Sequence, residues 1–251
     1  MIKLLNKIAG RFSLRLVPLE KELAPDMAGD REFMEVYQAC RKFTMTSPER
    51  LFSLCQSMRY LAENRIAGDI AECGEWKGGS SMFIAMMAIR LGLQDRQLWL
   101  YDTFEGMSEP GEEDRDHSGV PAKQQLDQAD RNVSESVWCF SSIDEVKANM
   151  ASTGYEMSQV HFVQGKVEDS IPATLPGALA LLRLDTDWYA STYHELVHLF
   201  PILNEKGVLI IDDFGHWEGA KRAVLQYFEE RGQHPLLHRI DETGRIFIKT
   251  N

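Results

Sequence analysis

The stretch from Ile66 to Ser81 constrains the fold of this chain more than any other. It reads IAGDIAECGEWKGGSS, an apolar run that ends at the acid Glu72 and continues into a glycine-rich turn. An apolar, helix-forming run follows over 82–91. Strand, glycine turn and helix in this order form a nucleotide site in open α/β sheets, because glycine lets the backbone approach a ligand closely. The spacing differs from G-x-G-x-x-G, so the turn predicts an adenosine-like ligand and leaves its identity open.

The rest of the chain predicts a single α/β unit. Further apolar runs predict strands that alternate with helical patterns, at residues 97–102, 160–164, 178–185 and 207–213. This alternation predicts a Rossmann-like, mostly parallel sheet with helices on both faces. The last two runs, 236–240 and 245–249, have hairpin spacing. We therefore expect seven strands, with an antiparallel C-terminal hairpin at the edge of the sheet.

Length and charge narrow the class of protein. The chain has 251 residues, and we expect an N-terminal helical extension or lid over 1–60 and one enzymatic domain over 61–251. The net charge of -11 excludes a general nucleic-acid binder, which needs a basic face. The four cysteines have no C-x-x-C spacing, which favours reduced thiols in a cytoplasmic enzyme over disulfides or a zinc site.

Two segments leave alternatives open. Residues 1–20 mix cations with apolar residues, without the pattern of a signal peptide. They predict a helix that packs on the domain or on a partner subunit, or an amphipathic segment on a membrane surface. No run is long enough to span a bilayer. The acidic stretch 104–135 predicts either a mobile lid or a solvated excursion.

Acids end several of the predicted strands, and the ends of parallel strands share the edge of the sheet where ligands bind. Asp102 ends the second strand, where an acid can accept hydrogen bonds from a ribose. Its alternative role is to cap a following helix. Asp185, Asp212 and Asp213 end two apolar strands and would converge in a partly dry site. An all-oxygen set of this kind suits magnesium.

Other roles for these acids stay open, since one or two could cap helices or pair with Arg183 or Lys221. His216 follows the Asp pair closely and could orient or deprotonate a substrate hydroxyl, because an imidazole can act as a general base. A histidine in a loop can equally be incidental. Three tryptophans fall near the same edge and would either stack on a ring substrate or cover the core: Trp76, Trp188 and Trp217.

Several segments resemble the macrocin O-methyltransferase family, metal-dependent enzymes that methylate sugars of macrolide, aminocoumarin and related natural products. They span roughly residues 40 to 230: Phe43–Pro48, Gly68–Ser80, Tyr101–Gly106, and Leu184–Thr192 with Ile210–Phe214. The resemblance implies a class I methyltransferase fold that binds S-adenosylmethionine. It also implies Mg²⁺ on Asp185, Asp212 and Asp213, with Asp185 as the base.

The resemblance implies a set of cofactor residues, of which Thr44 and Met45 would help to close over the ligand. The set is Thr44, Met45, Glu72, Gly74, Gly79, Ser80, Asp102, Thr103, Phe104, Gly165, Glu168 and Asp185. Cys73 and Glu75 depart from the small or apolar residues usual in the first turn. The stretch after Gly106 and the N-terminal segment match poorly, so the identity of the acceptor does not transfer.

The expected reaction is Mg²⁺-dependent transfer of a methyl group to a hydroxyl of a sugar or related polyhydroxylated small molecule, by a homo-oligomer. One alternative is a metal-dependent glycosyltransferase that uses Asp185-Thr-Asp187 on a nucleotide sugar. It would leave the turn 72–81 and the Asp212-Asp213 pair without a role. A non-catalytic binding protein is the other alternative, and crowded, unused carboxylates argue against it.

Overall fold

The computed structural model describes residues 23–131, 133 and 136–250. The prediction for residues 1–20 lies outside this part of the chain. Within it, one sheet has the strand order β3-β2-β1-β4-β5-β7-β6. The strands are β1 (Asp69–Cys73), β2 (Leu98–Asp102), β3 (Val160–Gln164), β4 (Leu179–Leu184), β5 (Leu203–Ile211), β6 (His238–Arg239) and β7 (Arg245–Ile248).

The pairing of the strands confirms the predicted sheet. Five neighbouring strands run parallel, in the order β3, β2, β1, β4 and β5. Strand β7 runs antiparallel to both of its neighbours, β5 and β6. Cys73 is in register with Tyr101 of β2 and with Leu184 of β4. The central strands therefore end at one level, and the residues that follow them are brought together.

Helices cover both faces of the sheet. In the described residues they are α1 (Pro25–Gly29), α2 (Arg31–Cys40), α3 (Pro48–Glu63), α4 (Gly79–Arg90), α5 (Ala122–Gln128), α6 (Ile143–Ala151), α7 (Val167–Ser170), α8 (Tyr189–His198) and α9 (Glu218–Glu229). Two sequence patterns predict helix starts: Ser47 followed by Pro48, and the capping box from Ser142 to Glu145. Ser47 caps α3 and Ser142 caps α6 accordingly. None of these helices has both the length and the apolar character that a membrane span requires.

Two apolar cores lie on opposite faces of the sheet. Alternate residues of a strand point to opposite faces, so Ile70 joins one core and Ala71 the other. The first core packs under α2, α3 and α4, and the second under α8 and α9. The helices before residue 60 thus share a core with the sheet, and the predicted domain boundary there stays a prediction. All four cysteines are free thiols.

The acidic stretch is folded in its described part, and whether it moves as a lid stays a prediction. It contains α5, which packs through Ala122 and Leu126 against Trp188 and Trp217 in a third, smaller apolar cluster. Asp114 is buried beneath it and accepts hydrogen bonds from the backbone N–H of Tyr189 and of Gly111. The described part of the stretch is therefore a folded wall that this acid ties to the start of α8.

Candidate active site

A cavity of about 280 Å³ lies at the carboxyl ends of the parallel strands. The strand ends are joined there by backbone hydrogen bonds, from Gly74 to Tyr101 and from Asp185 to Cys73. Most of the residues predicted for the site line this cavity. They are Thr44, Met45, Gly74, Gly79, Ser80, Asp102, Thr103, Gly165, Glu168, Asp185, Asp212, Asp213 and His216.

The glycine turn lies close to two neighbouring segments. Gly74 has a φ of 96°, and a Cβ atom there would overlap the carbonyl of Asp185. At Gly79 a Cβ atom would lie 2.5 Å from the carbonyl of Phe43, which accepts the Gly79 N–H at 3.0 Å. Glycine is therefore needed at both positions. The close approach holds Thr44 and Met45 over the cavity.

Asp102 is fixed by two turns of the backbone. Its carboxylate accepts the N–H of Glu75 at 2.7 Å and the N–H of Phe104 at 2.5 Å. Burial raises the pKa of Asp102 to about 6, and these hydrogen bonds act in the opposite direction. No helix begins directly after it, so the capping alternative does not apply. The residue is placed to accept hydrogen bonds from a ligand in the cavity.

An acidic cluster forms at the ends of β4 and β5. One carboxylate oxygen from each of Asp185, Asp187 and Asp213 lies within 4.8 Å of the others. Burial raises the pKa of Asp185 and of Asp187 well above the usual range, and Asp213 adds to both shifts. Oδ2 of Asp213 is buried and has no hydrogen-bond partner in the described part of the chain. These oxygens fit a hard divalent cation, which would offset the repulsion between the acids.

Asp212, predicted as a metal ligand, forms ion pairs with two arginines. Its carboxylate forms ion pairs with Arg50 and with Nη2 of Arg183, the latter at 2.5 Å. The Arg183 guanidinium is buried and also contacts Glu72 and, at 2.8 Å, Asp185. Pairing with Arg183, one of the alternatives left open by the sequence, thus occurs for two acids. Asp212 still lines the cavity, and its role as a ligand stays a prediction.

Two predicted cofactor residues lie behind the cavity. Glu72 is 1% exposed and accepts hydrogen bonds from Ser80, Ser81 and Arg183. Phe104 is buried in the first core and donates its backbone N–H to Asp102. Neither side chain lines the cavity. Both residues act on the site by holding the residues that do.

Two hydrogen bonds between Thr186 and α8 hold the turn between Asp185 and Asp187. Thr186 donates to Oε1 of the fully buried Glu195 at 2.9 Å, and the Ser191 hydroxyl donates to the Thr186 carbonyl at 3.3 Å. Asp187 has a φ of 69°, an unusual conformation for a residue with a side chain. The contacts to Thr186 fix this turn, so both acids face the cluster.

The aromatic residues divide between the cavity and the core. Trp76 lines the cavity and Trp188 is buried in the third cluster, while Trp217 belongs to that cluster and also lines the cavity. His216 also lines the cavity, with its ring centroid 4.7 Å from that of Trp217 and 5.5 Å from that of His117. It therefore lies in the cavity, and its action on a substrate hydroxyl stays a prediction.

Sequence reasoning missed several polar residues of the site. Arg50, Lys166 and Cys139 line the cavity, and Glu195 supports it. Arg50 follows the cap of α3 and gives no local signal of its distant partner, Asp212. Glu195 offers a weak signal, because a lone acid among the apolar positions of α8 must be buried.

Comparison with known proteins agrees with this geometry. The sequence model of the Macrocin-O-methyltransferase (TylF) family matches residues 30–249. A tetracenomycin-C 4'-O-methyltransferase that acts on a dimethoxyrhamnosyl compound, from Streptomyces olivaceus, is 32% identical over 82% of this chain and 76% of its own. The mycinamicin III 3''-O-methyltransferase of Micromonospora griseorubida is 31% identical over 80% of this chain and 76% of its own.

Solved structures share the fold. The O-methyltransferase NovP has a TM-score of 0.71 and 28% identity, covering 83% of each chain. The calicheamicin methyltransferase CalS11 has a TM-score of 0.59 at 16% identity, covering 92% of this chain and 100% of its own, and shows a likeness of fold alone. The predicted class I architecture is thereby confirmed.

Proposed function

Because the chain belongs to the macrocin O-methyltransferase family, we propose that it moves a methyl group from S-adenosylmethionine to a sugar hydroxyl in a Mg²⁺-dependent reaction. Membership makes it an S-adenosylmethionine-dependent O-methyltransferase. The sugar acceptor and natural-product biosynthesis are proposed from the relatives. One observation carries the proposal: a single cavity joins the glycine turn and Asp102 to the cluster of Asp185, Asp187 and Asp213.

The donor half of the cavity would bind the cofactor through backbone and carboxylate groups. Asp102 accepts hydrogen bonds from the ribose, and the turn at Gly74 and Gly79 lets the backbone reach the ligand. Thr44 and Met45 close over it and exclude water. The bound cofactor supplies an already activated methyl group, so the protein contributes chiefly by positioning the reactants.

The acceptor half would hold the metal on Asp185, Asp187 and Asp213. Mg²⁺ bound there would lower the pKa of a coordinated hydroxyl. A carboxylate of this cluster or His216 would take the proton of the acceptor hydroxyl, and the resemblance implies Asp185 for this role. Met107, Val137 and Trp217 line this side of the cavity, and they would enclose the sugar and exclude water.

The proposal extends to a cytoplasmic location and a homo-oligomer. The glycosyltransferase alternative gains no support, since the relatives compared above are methyltransferases. Calorimetric titration with S-adenosylmethionine, with and without Mg²⁺, tests the donor half. Transfer of a labelled methyl group to rhamnosylated natural products, with EDTA as the control, tests the acceptor half. Absence of cofactor binding would reject the donor assignment, and full activity in EDTA would reject the metal.

A further inference from the structure

Glu75, one of the two residues that depart from the family pattern in the glycine turn, is buried beside two other acids. It is 2% exposed, and its Oε1 atom lies 2.6 Å from the Ser81 hydroxyl. The same hydroxyl lies 2.6 Å from Oε2 of Glu72. Oε2 of Glu75 is buried without a hydrogen-bond partner among the described residues. Two carboxyl groups therefore share one hydroxyl.

The two contacts to the Ser81 hydroxyl need one more proton than this hydroxyl supplies. A hydroxyl has a single proton and can donate to only one of the two carboxyl groups. Glu72 is the group with a cationic partner, because it faces Arg183 and also accepts from Ser80. Glu72 is therefore the anion and accepts from Ser81. The second contact at 2.6 Å is satisfied only if Glu75 donates.

The charges around Glu75 agree with a neutral carboxyl. Glu72 on β1 and Asp102 on β2 are negative, and Ser81 of α4 is neutral. Arg183 of β4 is a cation that acts on it, but its guanidinium is already paired with other carboxylates. A Cβ atom built on Gly78 would contact both Oε2 of Glu75 and Val146 of α6, so that side is apolar. Burial first, and then Glu72, raise the pKa of Glu75 well above its usual range.

We propose that Glu75 is a positioning residue that works as a neutral carboxylic acid and fixes the cofactor turn through its hydrogen bond to Ser81. The chain of donation runs from Glu75 through Ser81 to Glu72, which Arg183 balances. The backbone N–H of Glu75 meanwhile holds Asp102. Loss of the Glu75 proton would leave two carboxylate anions beside the one Ser81 hydroxyl. Their repulsion would loosen this turn. The inference rests on the proposed function, since the turn is assigned to S-adenosylmethionine.

The test compares Glu75→Gln with Glu75→Leu in the full chain, by calorimetric titration with S-adenosylmethionine from neutral to alkaline pH. The glutamine amide can donate to Ser81 and never ionises, so this variant should keep the wild-type affinity at neutral pH to within about threefold, or ~0.7 kcal/mol. It should also resist the weakening that the wild type shows at alkaline pH. Glu75→Leu should bind about tenfold more weakly, or ~1.4 kcal/mol.

Infrared difference spectra of the wild type and Glu75→Gln provide a readout that does not depend on the cofactor. We expect the C=O stretch of a protonated carboxyl in the wild type at neutral pH and its loss in the variant. Absence of this band would overturn the proposal, as would a glutamine variant that binds as weakly as the leucine variant. Failure of the wild type to bind the cofactor at any pH would instead reject the proposed function, and the infrared band would still decide the state of Glu75.

Discussion

The Nη2 atom of Arg183 lies 2.5 Å from Oδ1 of Asp212, inside a site where the sequence predicts that Asp212 binds a metal. Arg183 also contacts Glu72 and Asp185, while Arg50 joins Asp212 to Asp241 of the C-terminal hairpin turn. The buried guanidinium thus links the glycine turn to the acidic cluster.

Removing this guanidinium should destabilise the fold strongly. Arg183→Met leaves Glu72 and Asp212 buried with fewer partners, and we expect a loss of about 3–5 kcal/mol in the free energy of unfolding. Urea denaturation followed by circular dichroism measures it. Arg90→Met is the matched control, because Arg90 pairs with Glu35 at the surface and should cost less than about 1 kcal/mol. Equal losses in the two variants would contradict the role of Arg183.

Two variants discriminate between the acid cluster of the structure and the metal ligands predicted from sequence. Asp187→Asn should weaken Mn²⁺ binding, as a probe for Mg²⁺, by at least about tenfold, or ~1.4 kcal/mol. Asp212→Asn should keep most of the metal affinity and lose stability, because it breaks the pairs with Arg50 and Arg183. Electron paramagnetic resonance of Mn²⁺ measures both affinities. If Asp212→Asn weakens Mn²⁺ binding more than Asp187→Asn does, Asp212 is the metal ligand.

Cofactor affinity should fall in acid. The pKa of Asp102 is raised to about 6, so the carboxylate that we propose accepts from the ribose is lost as the pH falls through that value. Affinity for S-adenosylhomocysteine should decrease by about tenfold per pH unit below it, because one proton competes with the ligand. Calorimetric titration between neutral and acidic pH checks the slope. Asp102→Asn should bind weakly and without this pH dependence, and a flat wild-type profile would exclude Asp102.

Loss of the hydrogen bond between Thr186 and Glu195 should lower kcat without changing the affinity for the cofactor. Thr186→Val removes the Thr186 hydroxyl that donates to the buried Glu195 and frees the turn, so we expect kcat to fall about tenfold, or ~1.4 kcal/mol. Metal affinity should fall with it, and S-adenosylmethionine affinity should not. Steady-state kinetics at saturating cofactor measure the effect.

Two further variants test whether that loss is specific. Glu195→Gln keeps an acceptor for Thr186 and should preserve most of the activity. Ser170→Ala removes a buried hydroxyl that has no partner in the described residues, and should be neutral. Unchanged kcat and metal affinity in Thr186→Val would show that the turn keeps its conformation without this hydrogen bond.

Local sequence determined the framework of this protein. Periodic apolar runs predicted the strands and the antiparallel edge, and the cap residues Ser47 and Ser142 predicted helix starts. Parallel strands end at one edge of the sheet. The position of Asp102 at the end of an apolar run therefore predicted its place in the cavity. These features depend on neighbours in sequence and on the geometry of a sheet.

Tertiary structure alone decided how the charges are paired. Arg50 lies 162 positions from Asp212 in the chain, and no local pattern encodes that contact. The sequence pointed equally to Asp212 and Asp213, and packing directs one to arginines and the other to Asp185 and Asp187. The glycine turn was recognised at once, but the state of Glu75 depends on the hydroxyl it shares with Glu72. Burial and partners set these energies, and both arise only when distant segments meet.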